Sequence, residues 1–278
     1  MEQREVRTAT PPLKWPGGKR SLLPTILENM PRSFGSYHEP FLGGGALYFK
    51  LYSEGLLKKA SWSRLNDVNS VLTTTYIEIR EDVERVITRL KVHARRNSSD
   101  YFYKLRAKRQ PDGHGAIAAR LIYFNRTCFN GLYRVNLSGE FNVPYGNYKN
   151  PKILDGDNLR ACSVALKRTR ITSFDFEDCA KHVVKDDFVY FDPPYMPRLG
   201  KEFVGYDNSK FGLSEHIRLR DCALRLKKLG AHVMISNSGA DEVRELYKKG
   251  FKLLEVKGRR TIGASSTTRG YMPDLLIW

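Results

Sequence analysis

The residues best suited to chemistry are Phe191-Asp192-Pro193-Pro194-Tyr195, which follow directly on the apolar run Phe188–Phe191. Two prolines fix the backbone and remove two amide donors, so the carbonyls beside them face outward with no N–H to compete. With the Asp192 carboxylate they make a set of acceptors without donors, and Tyr195 adds a flat face. A planar heterocycle with an exocyclic amino group suits that set: the acceptors take its N–H hydrogens while the ring stacks. A second set is Glu39-Pro40-Phe41-Leu42-Gly43-Gly44-Gly45-Ala46, a strand running through glycines into a helix, where backbone approaches a ligand closely. Further on, Leu65-Asn66-Asp67 puts an acid at the end of the next strand. A nucleoside cofactor offers its ribose hydroxyls at that place, although Asp67 is also placed to cap the helix that follows.

These residues need strand ends to stand on. Ser36–Phe41 reads as a strand entering the glycine turn, Ala46–Tyr52 as the helix beyond it, and Trp62–Asn66 as a second strand. Val68–Ile79, Val83–His93, Tyr101–Lys108 and Ala116–Phe124 carry apolar residues at helical spacing. From Thr127 to Pro151, Asn, Gly, Tyr and Pro predict a loop or hairpin. After Arg170 strands and helices alternate again. Strand Phe188–Phe191 is followed by helix Ser214–Leu229 with Gly230 at its end, strand Ala231–Ser236, helix Ala240–Lys249, and late strands Phe251–Val256 and Leu275–Trp278. Alternation at both ends predicts an α/β fold, a Rossmann-like, doubly wound, mostly parallel sheet interrupted by a basic, mainly helical insertion. The expected division is 1–80 with 171–278 for the sheet domain, and 81–170 for the insertion with its hairpin near 127–150.

At 278 residues the chain is long enough for a full core, and its formal charge of +17 favours a polyanionic partner. The charge is concentrated: between Arg85 and Arg170 stand 18 Lys and Arg against 5 Asp and Glu. Aromatics are interleaved there (Tyr101, Phe102, Tyr103, Tyr123, Phe124, Phe129, Tyr133, Phe141, Tyr145 and Tyr148), as in proteins that pair cations for phosphate with rings for bases. No apolar run reaches the length of a membrane span, and the N-terminal segment has no apolar core of a secretory signal. Cys128, Cys162, Cys179 and Cys222 are widely spaced, with no metal pattern, which predicts a reducing cytosol and no metal.

Asp-Pro-Pro-Tyr after an apolar strand, preceded by Glu-Pro-Phe-Leu-Gly-Gly-Gly, resembles the amino-methylating DNA methyltransferases that use S-adenosylmethionine. Leu13-Lys14-Trp15-Pro16-Gly17-Gly18-Lys19 is similar to the cofactor-side motif of their adenine-specific branch. The runs Asn125 to Asn136 and Gly139 to Tyr148 look like the recognition hairpin of the Dam/DpnM-type DNA adenine-N6 methyltransferases. The resemblance extends over roughly Leu13 to Ile277 and no single motif carries it.

By that resemblance Trp15 and Lys19 line the methionine end of the cofactor, Phe41 and Gly43 belong to its glycine-turn motif, and Asp67 holds the ribose. Asp175 with Phe176 stands where the family binds the cofactor adenine, and Asp192 also belongs to the implied cofactor-binding set. Asp192 and the carbonyl beside Pro193 accept hydrogen bonds from the target amino group, with Pro194 stiffening the loop and Tyr195 stacking on an adenine flipped from the duplex. Lys14 and Arg134 match positions that read guanines, and Phe129, Asn130, Leu132, Pro144 and Tyr148 match positions that touch or enter the duplex. The implied target is the adenine of GATC in double-stranded DNA, and S-adenosylhomocysteine is the product. No Pro-Cys dipeptide of the cytosine ring-carbon enzymes occurs. Two segments depart from the pattern or extend it. Val204 replaces the hydroxyl residue of the relatives' Phe-Thr-x-Tyr in the loop after Tyr195, and Gly258–Ser266 resembles a DNA-backbone contact. The resemblance implies a cytoplasmic protein, nucleoid-associated in a prokaryote, a monomer in preference to an oligomer, with a cognate restriction endonuclease as a functional associate. Alternative readings are a non-catalytic DNA-binding protein on the same fold, an RNA adenine methyltransferase and a protein-glutamine methyltransferase. The last usually has Asn in place of Asp192.

Overall fold

The computed structural model describes residues 8–15, 22–108, 111, 113–196, 211–256 and 273–278. In chain order the first elements are α1 (Leu23–Asn29), β1 (Tyr37–Glu39), α2 (Ala46–Ser53), β2 (Ser63–Asn66), α3 (Ser70–Glu81), α4 (Val83–Arg96), α5 (Ser99–Ala107) and α6 (His114–Thr127). Then come α7 (Gly156–Leu166), β3 (Thr169–Thr172), α8 (Phe176–Ala180), β4 (Phe188–Phe191), α9 (Leu213–Leu229), β5 (His232–Ser238), α10 (Asp241–Tyr247), β6 (Leu253–Val256) and β7 (Asp274–Ile277). Two compact units form: Met1–Gly18, Gly43–Lys58 and Asn69–Ser173 make the first, and Lys19–Leu42, Lys59–Val68 and Phe174–Trp278 the second. All of 81–170 falls in the first unit, together with α2 and α3.

The sheet has seven strands and is mostly parallel, the α/β, Rossmann-like class that the alternation predicts. Six strands belong to the second unit, in the order β2-β1-β4-β5-β7-β6. Pairs β1–β2, β1–β4 and β4–β5 are parallel, while β7 runs antiparallel to both β5 and β6. Phe188–Phe191 is buried at every position because a central parallel strand is covered on both faces. Val189 and Phe191 pack in one core with Leu219, Ala223 and Leu226 of α9 and with Val233 and Ile235 of β5. Gly230 ends α9 in the left-handed conformation (φ +92°), and its amide returns to the Lys227 carbonyl, as a helix stop of this kind requires.

At the opposite ends of β1 and β4 from the acceptor loop, Asp187 is a buried fastener. It accepts from the Ser36 amide at 2.8 Å, the Val184 amide at 3.0 Å and His38 Nε2 at 2.9 Å. Burial alone would raise this carboxyl, but His38 and the two amides outweigh it and hold it below the usual carboxylate range. A depressed folded-state pKa contributes stability above the unfolded value near 4 and loses it as pH falls through the folded value. Asp187→Asn should therefore cost about 3 kcal/mol at neutral pH, and the gap to the parent should close as urea melts are taken from pH 6 to pH 3. A constant gap would show that packing, and not the charge, sets the loss.

The first unit is helical, with polar caps at the helix starts. Asn69 accepts from the Val71 and Leu72 amides, Asp82 from Arg85, Ser98 from Tyr101 and Asp155 from Asn158. Asn69 rather than Asp67 thus caps α3. Helix α6 is buried along most of its length and α4 turns Val86, Ile87 and Leu90 inward. The interleaved aromatics divide. Phe102, Tyr123 and Phe124 are core residues, with Phe124 stacked on Phe141 at 4.7 Å, whereas Tyr103, Phe129 and Tyr148 are exposed. Helical spacing explains the division, because rings on the inner face of α5 and α6 must bury against their neighbours.

Candidate functional site

In the second unit the acids stand where parallel strands end. Asn66, buried at the end of β2, ties this edge together. Its Nδ2 donates to the carbonyls of Pro40 (3.1 Å) and Phe174 (2.9 Å), and its Oδ1 accepts from the Phe174 amide (2.9 Å). This sets the backbone of Asp67 and of Asp175. Asp175 caps α8 by accepting from the Glu177 amide (3.0 Å), and the same Oδ1 accepts from Arg218 at 2.9 Å. Its Oδ2 has no hydrogen-bond partner among the described residues. Arg218 also reaches Glu177 and Glu215, and it lies 5.0 Å above the Phe176 ring centroid. Its hydrogen bonds to Glu177 raise its pKa, and they lower that of Glu177. Phe176 is only 4% exposed, enclosed by Phe41, Phe211 and Arg218, so its ring is core; Phe174, two residues earlier, is 52% exposed. The adenine role that the motif suggests for Phe176 would have to use its backbone.

Asp192 begins the loop at the end of β4. Ser236 of the neighbouring β5 donates to its Oδ1 at 2.6 Å, and Tyr190 donates to Ser236 Oγ at 3.0 Å. Burial, Asp192 and Tyr195 all raise the Tyr190 phenol, so it stays protonated. On β1, Tyr37 donates to buried Glu39 at 2.8 Å, and burial with that carboxylate raises it in the same way. Pro193 is buried, Pro194 exposed and Tyr195 half-buried. The chain after Tyr195 is pinned by the Met196 amide donating to Asn237 Oδ1 (3.3 Å) and by Ser238 Oγ donating to the Met196 carbonyl (2.9 Å).

In the first unit Trp15 explains the glycine turn. A Cβ on Gly43, which has φ +49°, would lie 2.9 Å from the indole Cδ1, and one on Gly44 would lie 3.0 Å from the Trp15 Cβ. The glycines admit this indole, which also stacks on Tyr133 at 5.4 Å, while Tyr76 donates to the Gly43 carbonyl at 3.1 Å.

The seven residues matched to DNA contacts come together around the 127–150 segment. Antiparallel bridges join Cys128 to Tyr145 and Val135 to Phe141. Buried Asn125 holds Lys14 by its amide (2.8 Å) and carbonyl (2.6 Å) and also takes the Gly131 carbonyl (2.9 Å). Lys14 Nζ is 5.8 Å from the Tyr148 ring, and the Tyr148 hydroxyl accepts from the Asn130 amide at 2.9 Å. The Phe129 amide donates to the Pro144 carbonyl at 2.9 Å, leaving the Phe129 ring 51% exposed. Leu132 is half-buried beside it. Arg134 donates through Nε to Asn142 Oδ1 at 2.7 Å, and its terminal nitrogens make no hydrogen bond among the described residues. Asn66, Asn125, Asn142, Arg218 and Ser236 carry no motif signal of their own, since each acts through another residue and only spatial contact reveals it. Lys19, the Val204 loop and Gly258–Ser266 lie outside the described residues.

Among the described residues no group of His, Cys, Asp or Glu is gathered to hold a metal, and no helix is long and apolar enough to cross a membrane. All four cysteines are buried; burial pushes Cys128 and Cys222 up to about 11 and Cys162 and Cys179 up to about 12, so none is a nucleophile at neutral pH.

A Rossmann-like sheet with acids at its strand ends and an Asp-Pro-Pro-Tyr loop defines a methyltransferase fold. The chain belongs to the D12 class N6 adenine-specific DNA methyltransferases, whose family model matches residues 15–262. It is 41% identical to the Type II methyltransferase M1.LlaDCHI of Lactococcus lactis subsp. cremoris over 95% of this chain and 93% of that one. Identity is 38% to the Type II methyltransferase M.MjaIII of Methanocaldococcus jannaschii (93% of this chain, 94% of that one). It is 31% to the DNA adenine methylase of Haemophilus influenzae (96% and 92%). The family is one of DNA enzymes, so neither the non-catalytic nor the RNA reading is favoured.

Proposed function

We propose that this enzyme methylates the N6 of an adenine flipped out of duplex DNA, within GATC, using S-adenosylmethionine. The observation that carries the reading is the fixed Asp192-Pro193-Pro194-Tyr195 loop at the end of buried β4, with the Asp192 carboxylate held on one oxygen by Ser236.

The residues present fit the cofactor chemically: Asp175 keeps a carboxylate oxygen that has no hydrogen-bond partner among the described residues and suits an exocyclic amine, and Asp67, an acid directly after β2, suits a ribose diol. When bound, the cofactor supplies an electrophilic methyl carbon for in-line displacement by the amino nitrogen and is released as S-adenosylhomocysteine. Trp15, Lys19, Phe41, Gly43, Asp67 and Asp175 are assigned to binding it, with Phe176 contributing backbone.

Asp192 and the carbonyl beside Pro193 accept hydrogen bonds from the two N6 hydrogens, draw the nitrogen toward sp³ character and free its lone pair; the N–C bond forms as the C–S bond breaks, and the proton then surplus on the nitrogen is lost to water. Tyr195 holds the base by stacking. Orientation and preorganised acceptors supply most of the rate. Residues 81–170, with Lys14, read the DNA: Lys14 and Arg134 take guanine edges, while Phe129, Asn130, Leu132, Pro144 and Tyr148 shape the space left by the flipped base. A DNA substrate favours a cytoplasmic setting, and the Type II names of the two more similar relatives support a cognate endonuclease as functional associate.

The test is transfer of labelled methyl to two duplexes, one with a single GATC and one with GTTC. Label is expected in the first only; label in both would discard the GATC reading, and label in neither would discard the donor or the base.

A further inference from the structure

The contacts of Asp192 extend one step further than the motif. Ser236 is wholly buried, lies on the neighbouring strand and has one hydroxyl hydrogen. Two neighbours compete for that hydroxyl, and chemistry fixes which way the chain of bonds runs. Tyr190 is a buried phenol kept protonated by its surroundings, so it gives its hydrogen to Ser236 Oγ at 3.0 Å. Ser236 is then left with its own hydrogen directed at Asp192 Oδ1, 2.6 Å away. Bonds aligned head to tail polarise one another, and a hydroxyl donating to a carboxylate stabilises the ionised form. Among the described residues, the titratable groups that share this strand-end region with Asp192 include Tyr37 and Tyr190, on both of which it acts, and Glu39 and Tyr195, which act on Tyr190; all are acids, and β5 faces Asp192 with the neutral donor Ser236.

We propose that Ser236, oriented by Tyr190, is a positioning residue that holds Asp192 ionised and in the rotamer that accepts the N6 hydrogens. The proposal rests on Asp192 being the catalytic acceptor.

Ser236→Ala should lower the single-turnover rate of methyl transfer at neutral pH by about 10- to 100-fold, the usual cost of one charge-assisted hydrogen bond. Dissociation constants for S-adenosylhomocysteine and for a GATC duplex should change by less than about threefold. The acid limb of the rate profile should move to higher pH. So should the titration of the Asp192 carboxyl carbon, followed by carbon-13 NMR in the ligand-free protein and assigned with Asp192→Asn. Tyr190→Phe should shift both in the same direction by less, and it should add nothing to Ser236→Ala, because it acts only through the serine. If Ser236→Ala folds poorly because the phenol is left unsatisfied, the double variant removes that group and is read in the same way. A serine that merely fills its place would leave the acid limb and the carboxyl titration where they are, and that result, or additive losses, overturns the proposal. Persistent turnover in Asp192→Ala would instead overturn the catalytic reading beneath it.

Discussion

Asp192→Ala will lower the single-turnover rate of methyl transfer at least about a thousandfold, while duplex binding and the folded state persist. The rate should collapse because the amino nitrogen of adenine is a poor nucleophile whose lone pair is delocalised into the ring. Only acceptors placed on its hydrogens bring the pair out, and Asp192 is the one such acceptor in the loop with a full charge. Folding should persist because Asp192 is only partly buried at the start of the loop, and its removal leaves the Ser236 hydroxyl without its acceptor, a cost of about 1–3 kcal/mol. Asp192→Asn sharpens the case: it keeps an acceptor for Ser236 and nearly the same shape but loses the charge, and it should fall between the parent and alanine. The measurements are rapid-quench transfer to a GATC duplex, filter binding of the same duplex and a melting curve. An alanine variant within about tenfold of the parent rate would remove Asp192 from the chemistry. A variant that neither transfers nor folds would say nothing about chemistry, which is why the melting curve and the asparagine variant belong to the experiment.

Much of this was legible in the residues, and what was not shares a cause. Phe188–Phe191 reads as a buried strand because it is wholly apolar, and Gly230 reads as a helix end because only glycine takes that conformation cheaply. Alternation predicts a mostly parallel sheet and the sheet is one, but which strand runs the other way leaves no mark on the residues of β7, since it depends on how the chain returns between β5 and β6. Helix α7 is short and rich in small residues, so its periodicity is weak in the sequence, though Asp155 caps its start. The glycine turn shows a different limit: a motif marks a close approach of backbone but not what approaches, and here the nearest group is Trp15. Aromatic spacing in 101–148 had the same ambiguity, which burial resolved in favour of core for Phe102, Tyr123 and Phe124. Residues that touch a ligand recur as motifs. Residues that only aim them, such as Asn66 and Ser236, are brought to their partners by the sheet, and no local pattern records them.

With Arg134 on a guanine edge as proposed, Arg134→Ala will relax base choice more than it weakens binding. The Arg134 backbone is fixed in the hairpin by the Asn142 amide, which donates to its carbonyl at 3.0 Å, and its side chain is fixed by Nε donating to Asn142 Oδ1 at 2.7 Å. A guanidinium tethered at Nε presents its two terminal nitrogens as a flat fork, the geometry that matches O6 and N7 of guanine. Losing the fork should cost about 1–3 kcal/mol of discrimination at one guanine of the site, or about 5- to 150-fold in preference over the altered base pair. Overall affinity for duplex without the site should fall much less, because many other cations of 85–170 remain, and the salt slope should drop by about one. Two further variants separate aim from charge. Arg134→Lys keeps the charge and loses the fork, so it should keep the parent's salt slope and still relax the same position. Asn142→Ala keeps the arginine and frees it to rotate, so discrimination should fall part of the way with salt dependence unchanged. The measurement is single-turnover transfer across duplexes altered at each position of GATC in turn, at two salt concentrations. A preference profile unchanged in Arg134→Ala would take the guanine contact away from this residue and leave it as one more phosphate-binding cation. Relaxation at the position in all three variants, graded from alanine to lysine to the asparagine change, would place the contact in the fork itself and its accuracy in Asn142.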